Sequence, residues 1–186
     1  MIKASTRYDL NTGQYAYQVM DLMSNEIQPQ EQRPLYNIAH MANSIKMTSE
    51  ALNRGANGVE IDLNFDRDDI YLYHGYPCDC FRMCWEQEKL SDYLRFIRMI
   101  STPGSSKQDR RLAILYFDFK LKPFDQHKKY FHGIRFGDSL AKNLFYRNKN
   151  SSVRLVCSIS YIDDANFLRG MVYRLRELGL FEQVKE

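Results

Sequence analysis

The 186-residue sequence lacks the features that mark several large classes of protein. It has no long hydrophobic run: the longest, residues 112–117, is far short of the ~20 apolar residues that a membrane helix needs. Its formal charge is only +3, too weak a bias to indicate nucleic-acid binding. Glycine and proline are scarce, at 9 and 5 residues, so collagen-like and low-complexity chains are excluded. These properties are typical of a globular chain with one domain and a sizeable core.

The N-terminal segment also lacks an apolar stretch. Residues 1–32 are polar and weakly periodic, which predicts a poorly ordered extension before a domain at residues 33–186. A signal peptide requires an apolar region of ~7–15 residues, and none is visible here. Taken alone, this segment predicts a chain that is not exported.

The four cysteines point instead to an oxidising compartment. Cys78, Cys80 and Cys84 crowd into one short segment, which is typical of a disulfide-tied loop or of a metal-binding knot. His74 is the only imidazole nearby, and no second Cys or His pair follows at zinc-finger spacing, so a disulfide is favoured. Cys157 lies in an apolar run and is expected to be a small buried side chain.

Strand-like and helix-like segments alternate along the domain, which predicts an α/β fold with helices outside a parallel sheet. Period-2 alternation indicates the strands, and apolar stripes with capping residues indicate the helices. The predicted strands cover residues 35–40, 58–65, 70–74, 111–120 and 154–160. The predicted helices cover residues 44–54, 90–100 and 128–146, and a last one runs from Asp163 and Asp164 to Gly179. His127 and His132 are expected on the solvated surface.

Charged residues occupy strand positions that an α/β fold normally fills with apolar side chains. In the second strand, alternation puts Glu60 and Asp62 on the face opposite the apolar residues. In the fourth strand, Asp118 and Lys120 lie opposite two phenylalanines in the same way. Three carboxylates suit a hard divalent cation, and Mg²⁺ fits because it leaves coordination positions for substrate phosphate.

Two histidines end the first and third predicted strands, His40 and His74. Four successive strands therefore end in ionisable groups, at the edge where parallel α/β proteins keep their chemistry. The histidines could serve as base and acid, and Lys120 could neutralise a phosphate oxygen. Each also has a structural alternative: a hydrogen-bonded strand end for a histidine, and a salt bridge to Asp118 for Lys120.

Longer segments resemble the sphingomyelinase D or phospholipase D toxins of spiders and other arachnids. The resemblance runs from about residue 33 to the end of the chain without large gaps. It is carried by RPLYNIAHMAN (33–43), GANGVEID (55–62), YHGYPCDC (73–80) with Cys84, TPGSSK (102–107) and FDFK (117–120). Five such segments in a shared order are a much stronger signal than any one motif.

The resemblance implies a secreted enzyme with a (β/α)₈ barrel related to glycerophosphodiester phosphodiesterases. Such an enzyme cleaves the choline or another head group from sphingomyelin and lysophosphatidylcholine at a membrane surface. In many members the lipid's own hydroxyl attacks and leaves a cyclic phosphate. The matching positions imply Mg²⁺ ligands at Glu60, Asp62 and Asp118, catalytic histidines at His40 and His74, a phosphate-binding Lys120, and a disulfide between Cys78 and Cys84.

The chain is short for such a barrel, because a complete one typically needs ~250 residues. The five predicted strands correspond to about the first five βα units, so residues 33–186 are predicted to be the N-terminal part of the barrel. The open sheet edge of a partial barrel favours self-association. Two alternative functions remain: a non-catalytic secreted remnant that binds lipid or protein, and a glycerophosphodiester phosphodiesterase, which the cysteine loop disfavours.

Overall fold

A computed structural model describes residues 35–67, 69–75, 87–109, 111–121, 124–145 and 151–181. These residues form a mixed α/β fold around one sheet. Its strands are β1 (Ile38–Ala39), β2 (Gly58–Phe65), β3 (Ile70–Leu72), β4 (Glu88–Lys89), β5 (Ile114–Lys120) and β6 (Arg154–Ile159). The helices are α1 (Ile45–Asn53), α2 (Leu90–Ser101), α3 (Gln126–Ser139) and α4 (Ala165–Glu177). A π-helical turn, Leu140–Leu144, extends α3, and a 3₁₀ turn, Ile162–Asp164, precedes α4.

The sheet combines parallel and antiparallel pairs. β1 pairs with β2, β2 with β5, and β5 with β6, all in parallel. β3 is antiparallel to β2, and β4 is antiparallel to β3. The expectation of a parallel third strand, and with it of five βα units, was therefore wrong. Only residues 66–69 separate β2 from β3, whereas a parallel pair needs a crossover of a dozen or more residues.

Local sequence signals account for where the first two helices begin and end. The Ser44 side chain accepts a hydrogen bond from the Met47 N–H at 3.1 Å and caps the first turn of α1. Gly55, with a φ of +94°, follows the last turn of α1 in a conformation that favours glycine. The apolar stripe predicted for α2 is buried, at Leu90, Tyr93, Leu94, Ile97 and Ile100. None of the helices in the described part of the chain is long and apolar enough to span a membrane.

The core packs the sheet against helices α2, α3 and α4, with α3 and α4 covering β2 and β5. Apolar residues of β2 and β5 stand in register on this face, with Ile61 beside Phe117 and Leu63 beside Phe119. Phe119 contacts Phe136 of α3 and Phe167 of α4, with ring centroids 4.9 and 4.4 Å away. All of these side chains are fully buried, so the opposite face of β2 and β5 is the one left for polar residues.

Glycines allow α3 and α4 to approach each other closely. A Cβ atom added to Gly133 would overlap the carbonyl of Phe167, and one added to Gly170 would overlap the carbonyl of Tyr130. The two helices therefore meet backbone to backbone at these positions. A buried ion pair, Lys129 Nζ to Asp164 Oδ1 at 2.8 Å, joins the first turn of α3 to the start of α4.

The histidines of α3 differ from each other in environment. His127 is exposed, as expected. His132 is half-buried, with its ring centroid 5.0 Å from that of Phe65 and 4.4 Å from that of Phe124. The interpretation of His132 as a solvated surface residue was wrong, because α3 turns this side chain towards Phe65, the last residue of β2.

Candidate active site

Three carboxylates converge on the polar face of the sheet. Glu60 and Asp62 lie on β2, Asp118 lies on β5, and the parallel register sets Asp62 directly beside Asp118. One oxygen from each of the three carboxylates lies within 4.8 Å of the other two. Glu60 and Asp62 are buried, at 7% and 1% exposure, and Asp118 is half-buried. Like charges on neighbouring strands repel, so this cluster requires a compensating cation.

Lys120, which lies two residues after Asp118 on the same face of β5, supplies part of that compensation. Its Nζ donates a hydrogen bond to Asp118 Oδ2 at 2.6 Å and lies 2.9 Å from Asp62 Oδ1. Burial alone would lower the lysine pKa, but the attraction of the Asp118 and Asp62 carboxylates outweighs burial and raises the pKa. Lys120 is therefore a cation at neutral pH, and three carboxylates against one ammonium leave a formal charge of −2.

The two oxygens of Asp62 differ in their partners. Oδ2 accepts a hydrogen bond from Asn43 Nδ2 at 2.8 Å. Oδ1 is fully buried and has no hydrogen-bond donor among the described residues. The Lys120 ammonium is at ion-pair distance from Oδ1 but not in hydrogen-bond geometry. A buried carboxylate oxygen in this state is costly unless a further positive group approaches it.

Glu60 is held by the chain segment that follows β1. The Met41 N–H donates to Glu60 Oε2 at 2.6 Å, and Met41 has a φ of +57°, a conformation that costs a non-glycine residue ~1–2 kcal/mol. His40 Nε2 lies 3.8 Å from the same oxygen. Burial raises the pKa of Glu60; the Met41 N–H opposes this shift, and the charge of Asp62 adds to it.

His74 lies two residues beyond the end of β3, in the segment that continues alongside β2. The N–H of Tyr73, the preceding residue, donates to the carbonyl of Asp62 at 3.0 Å, so the backbone at His74 runs beside the acidic cluster. His74 Nδ1 lies 3.1 Å from the carbonyl oxygen of Gly75. A carbonyl only accepts hydrogen bonds, so Nδ1 carries the proton and Nε2 is left for proton transfer.

The donor set of this site fits a hard divalent cation. All three converging side chains offer carboxylate oxygens, the ligands that Mg²⁺ and Ca²⁺ prefer. The donor-less Asp62 Oδ1, together with three carboxylates set against one ammonium, indicates that the cluster holds more negative charge than Lys120 neutralises. A divalent cation bound to these oxygens would balance the remaining charge.

Some residues of this site were not predicted from the sequence. Met41 and Asn43 lie one and three residues after His40 and bond to the carboxylates, although neither residue type stands out in the sequence. Ser158 of β6 lies beside Asp118 in the parallel register, and its position in an alternating strand was the available signal. The predicted disulfide cysteines, Cys78 and Cys84, lie outside the described residues. Cys157 is a free, half-buried thiol, with Sγ 4.0 Å from Met171 Sδ.

Comparison with solved structures gives only a weak likeness. A glycerophosphodiester phosphodiesterase from Agrobacterium tumefaciens str. C58 matches with a TM-score of 0.45 and 12% sequence identity, over 77% of this chain and 64% of its own. A likeness at this level carries no argument about function.

Comparison with curated proteins is more informative. Dermonecrotic toxin StSicTox-betaIB1i from Sicarius terrosus is 38% identical over 81% of this chain and 55% of its own length. Dermonecrotic toxin Hl-PLD1 from Hemiscorpius lepturus is 33% identical over 86% of this chain and 50% of its own. Dermonecrotic toxin LiSicTox-betaIA1i from Loxosceles intermedia is 35% identical over 82% and 52%. The chain thus spans about half the length of the curated relatives that it matches.

A family model extends this similarity over most of the sequence. The model of the dermonecrotic toxin SPH family matches residues 30–186, which include every described residue of the acidic cluster. The arachnid toxin resemblance of the sequence motifs is confirmed, and the chain belongs to the dermonecrotic toxin family.

Proposed function

We propose that this chain is a Mg²⁺-dependent phosphodiesterase of the sphingomyelinase D type, which releases the head group of choline phospholipids. One observation carries the proposal: Glu60, Asp62 and Asp118 converge on one side of the sheet beside Lys120. The relatives, which are dermonecrotic toxins, support it. We also propose secretion and a choline phospholipid surface as the partner, on the same family grounds.

We propose that the strands and helices of this chain form part of a (β/α)₈ barrel. Four strands, β1, β2, β5 and β6, run parallel in chain order, and β2 and β5 bury their apolar side chains under α3 and α4. Their polar face would line the inside of the barrel, where the carboxyl ends of parallel strands carry catalytic residues.

The acidic cluster would hold one divalent cation through Glu60, Asp62 and Asp118. Bound there, the cation supplies a Lewis acid that stabilises charge on a phosphate oxygen. Lys120 lies next to the same carboxylates, so its ammonium can contact a second non-bridging oxygen. Preorganised positive charge of this kind lowers the barrier by several kcal/mol, roughly, in comparable sites.

His40 and His74 would transfer the protons. His40 Nε2 takes the proton of the attacking hydroxyl as the new O–P bond forms, and the Glu60 carboxylate 3.8 Å away stabilises the imidazolium that results. His74, entering this step as the imidazolium with protons on both ring nitrogens, gives the proton of Nε2 to the choline oxygen as the bond from that oxygen to phosphorus breaks. An attacking hydroxyl from the lipid itself yields a cyclic phosphate, whereas water yields a phosphomonoester.

Phosphorus-31 NMR on sphingomyelin and lysophosphatidylcholine tests this function, because the two products have different shifts. We expect a new phosphorus signal together with free choline, and a loss of at least ~10²-fold in kcat for His40→Ala and His74→Ala in folded protein. Cleavage of glycerophosphocholine without cleavage of the lipids would instead favour a glycerophosphodiester phosphodiesterase. A folded wild-type protein that cleaves none of these substrates would favour a non-catalytic binding function.

A further inference from the structure

Asn43 makes two hydrogen bonds to the same neighbouring residue. Its Nδ2 donates to Asp62 Oδ2 at 2.8 Å, and its Oδ1 accepts from the Asp62 backbone N–H at 2.7 Å. A backbone N–H can only donate, so the orientation of the amide is fixed by chemistry. Asn43 is itself buried, at 8% exposure, so water does not compete freely for these bonds.

The backbone after β1 brings the amide to this place. β1 ends at Ala39, and the Ala42 N–H donates to the Glu60 carbonyl at 2.8 Å, which continues the alignment of the chain along β2. Met41, in its left-handed conformation, turns the chain between them. Asn43 therefore lies beside Asp62 because of backbone bonds that do not involve its own side chain.

The paired bonds have different consequences. The bond to the Asp62 N–H satisfies a buried backbone group and requires only an acceptor. The bond from Nδ2 engages Asp62 Oδ2 and leaves Oδ1 as the carboxylate oxygen without a donor, on the side where the Lys120 ammonium and Asp118 lie. The need to satisfy the Asp62 backbone N–H therefore does not explain the bond from Nδ2 to Oδ2.

We propose that Asn43 is a positioning residue for cation binding: it holds Asp62 Oδ2 so that Oδ1 is presented to the cation. This inference rests on the cation site of the proposed function. Groups that orient a metal ligand typically change metal affinity by ~10–100-fold when they are removed. The role predicts an effect on affinity that is separate from any effect on the stability of the fold.

The test measures Mn²⁺ binding to purified protein by electron paramagnetic resonance, with thermal unfolding of the metal-free protein as the measure of stability. Asn143→Ala is the matched control for Asn43→Ala, because Asn143 is also buried, at 5% exposure, and its amide donates to the Ser139 carbonyl in the turn after α3. We expect Asn43→Ala to raise the Kd for Mn²⁺ at least ~10-fold. Asn143→Ala should leave this Kd unchanged, even if it lowers the unfolding temperature by as much as Asn43→Ala does.

The outcomes separate the two proposals. If wild-type protein binds Mn²⁺ and Asn43→Ala binds it with the same Kd, the role of Asn43 is wrong while the cation site stands. If wild-type protein binds no Mn²⁺, the cation site itself is wrong, and the role of Asn43 with it.

A measurement on wild-type protein covers the case in which Asn43→Ala does not fold. In ¹⁵N-labelled protein, the side-chain amide signals of Asn43 should shift when Mg²⁺ is added to saturation, because the carboxylate that accepts from this amide binds the metal through its other oxygen. The side-chain amide signals of Asn143 should not move. Unchanged Asn43 signals in protein that is saturated with Mg²⁺ would overturn the proposal.

Discussion

The Lys120 ammonium lies where it would compete with a metal ion for the carboxylates. Its removal should therefore affect metal binding and catalysis in opposite directions. The ammonium is 2.9 Å from Asp62 Oδ1 and 2.6 Å from Asp118 Oδ2, on two of the carboxylates proposed to bind the metal. We expect Lys120→Met to tighten Mg²⁺ binding in the absence of substrate by roughly tenfold, since a repelling charge is removed. The same change should lower choline release at least ~10²-fold, because a phosphate-binding charge is lost.

Calorimetry and a choline assay on the same preparations check this prediction. Lys128→Met is the control, because Lys128 is exposed and pairs with Asp125 outside the acidic cluster. Weaker Mg²⁺ binding in Lys120→Met would mean that the ammonium supports the carboxylates rather than competing for them.

His132 should make the stability of the protein depend on pH. Burial lowers its pKa, and the charges of Arg135 and Lys128 add to this effect, so the folded protein binds a proton here less readily than the unfolded chain does. Its contribution to stability is therefore present above the unfolded pKa of ~6.5 and is lost as pH falls through the lower folded pKa. We expect the unfolding temperature to fall less between pH 7.5 and pH 5 in His132→Phe than in wild type.

The exposed His127 on the same helix provides the comparison. His127→Phe should show the wild-type decrease in unfolding temperature over this pH range. An equal decrease in His132→Phe and wild type would show that the protonation of His132 does not contribute.

The packing of α3 against α4 depends on two glycines. Replacing a helical glycine by alanine normally stabilises a helix by ~1 kcal/mol. Here the added methyl group of Gly133→Ala or Gly170→Ala would overlap a carbonyl of the other helix. We expect the overlap to dominate, and each change to lower the free energy of unfolding by about 1–3 kcal/mol in urea titrations.

Gly137→Ala is the graded control for these substitutions. Its added Cβ would lie 3.1 Å from Arg174 Cβ, a tight contact with a side chain rather than with backbone. Its loss of stability should be smaller than that of either other glycine. Equal losses at all three positions would contradict the argument from backbone overlap.

Most helices and strands could be predicted from the sequence because their signals are local. The strand at residues 58–65 and the buried stripe of α2 follow from periodicity, and the end of α1 follows from Gly55. The direction of β3 depends instead on the length of the turn before it, and β4 is a two-residue strand without a pattern of its own. Helix α3 gives way to a π-helical turn at Leu140–Leu144, which apolar periodicity does not distinguish from an α-helix.

The acidic cluster was predictable for a similar reason. Alternation on two strands puts Glu60, Asp62 and Asp118 on one face whatever the rest of the chain does. Asn43 and Met41 contribute through loop geometry, which has no period. The half-buried position of His132 depends on the packing of α3 against Phe65 and Phe124, and a polar helical segment does not reveal such a contact.

The molecule as a whole is proposed to work through one cation shared by two strands. Removal of that cation is the decisive measurement: choline release from sphingomyelin is followed in wild-type protein that has been treated with EDTA and then titrated with Mg²⁺, beside Asp118→Asn. We expect no release after EDTA, recovery at the Mg²⁺ concentration that half-saturates binding by calorimetry, and loss of both binding and release in Asp118→Asn. Choline release that persists undiminished in EDTA-treated protein, or in Asp118→Asn, would contradict the proposed role of the cation.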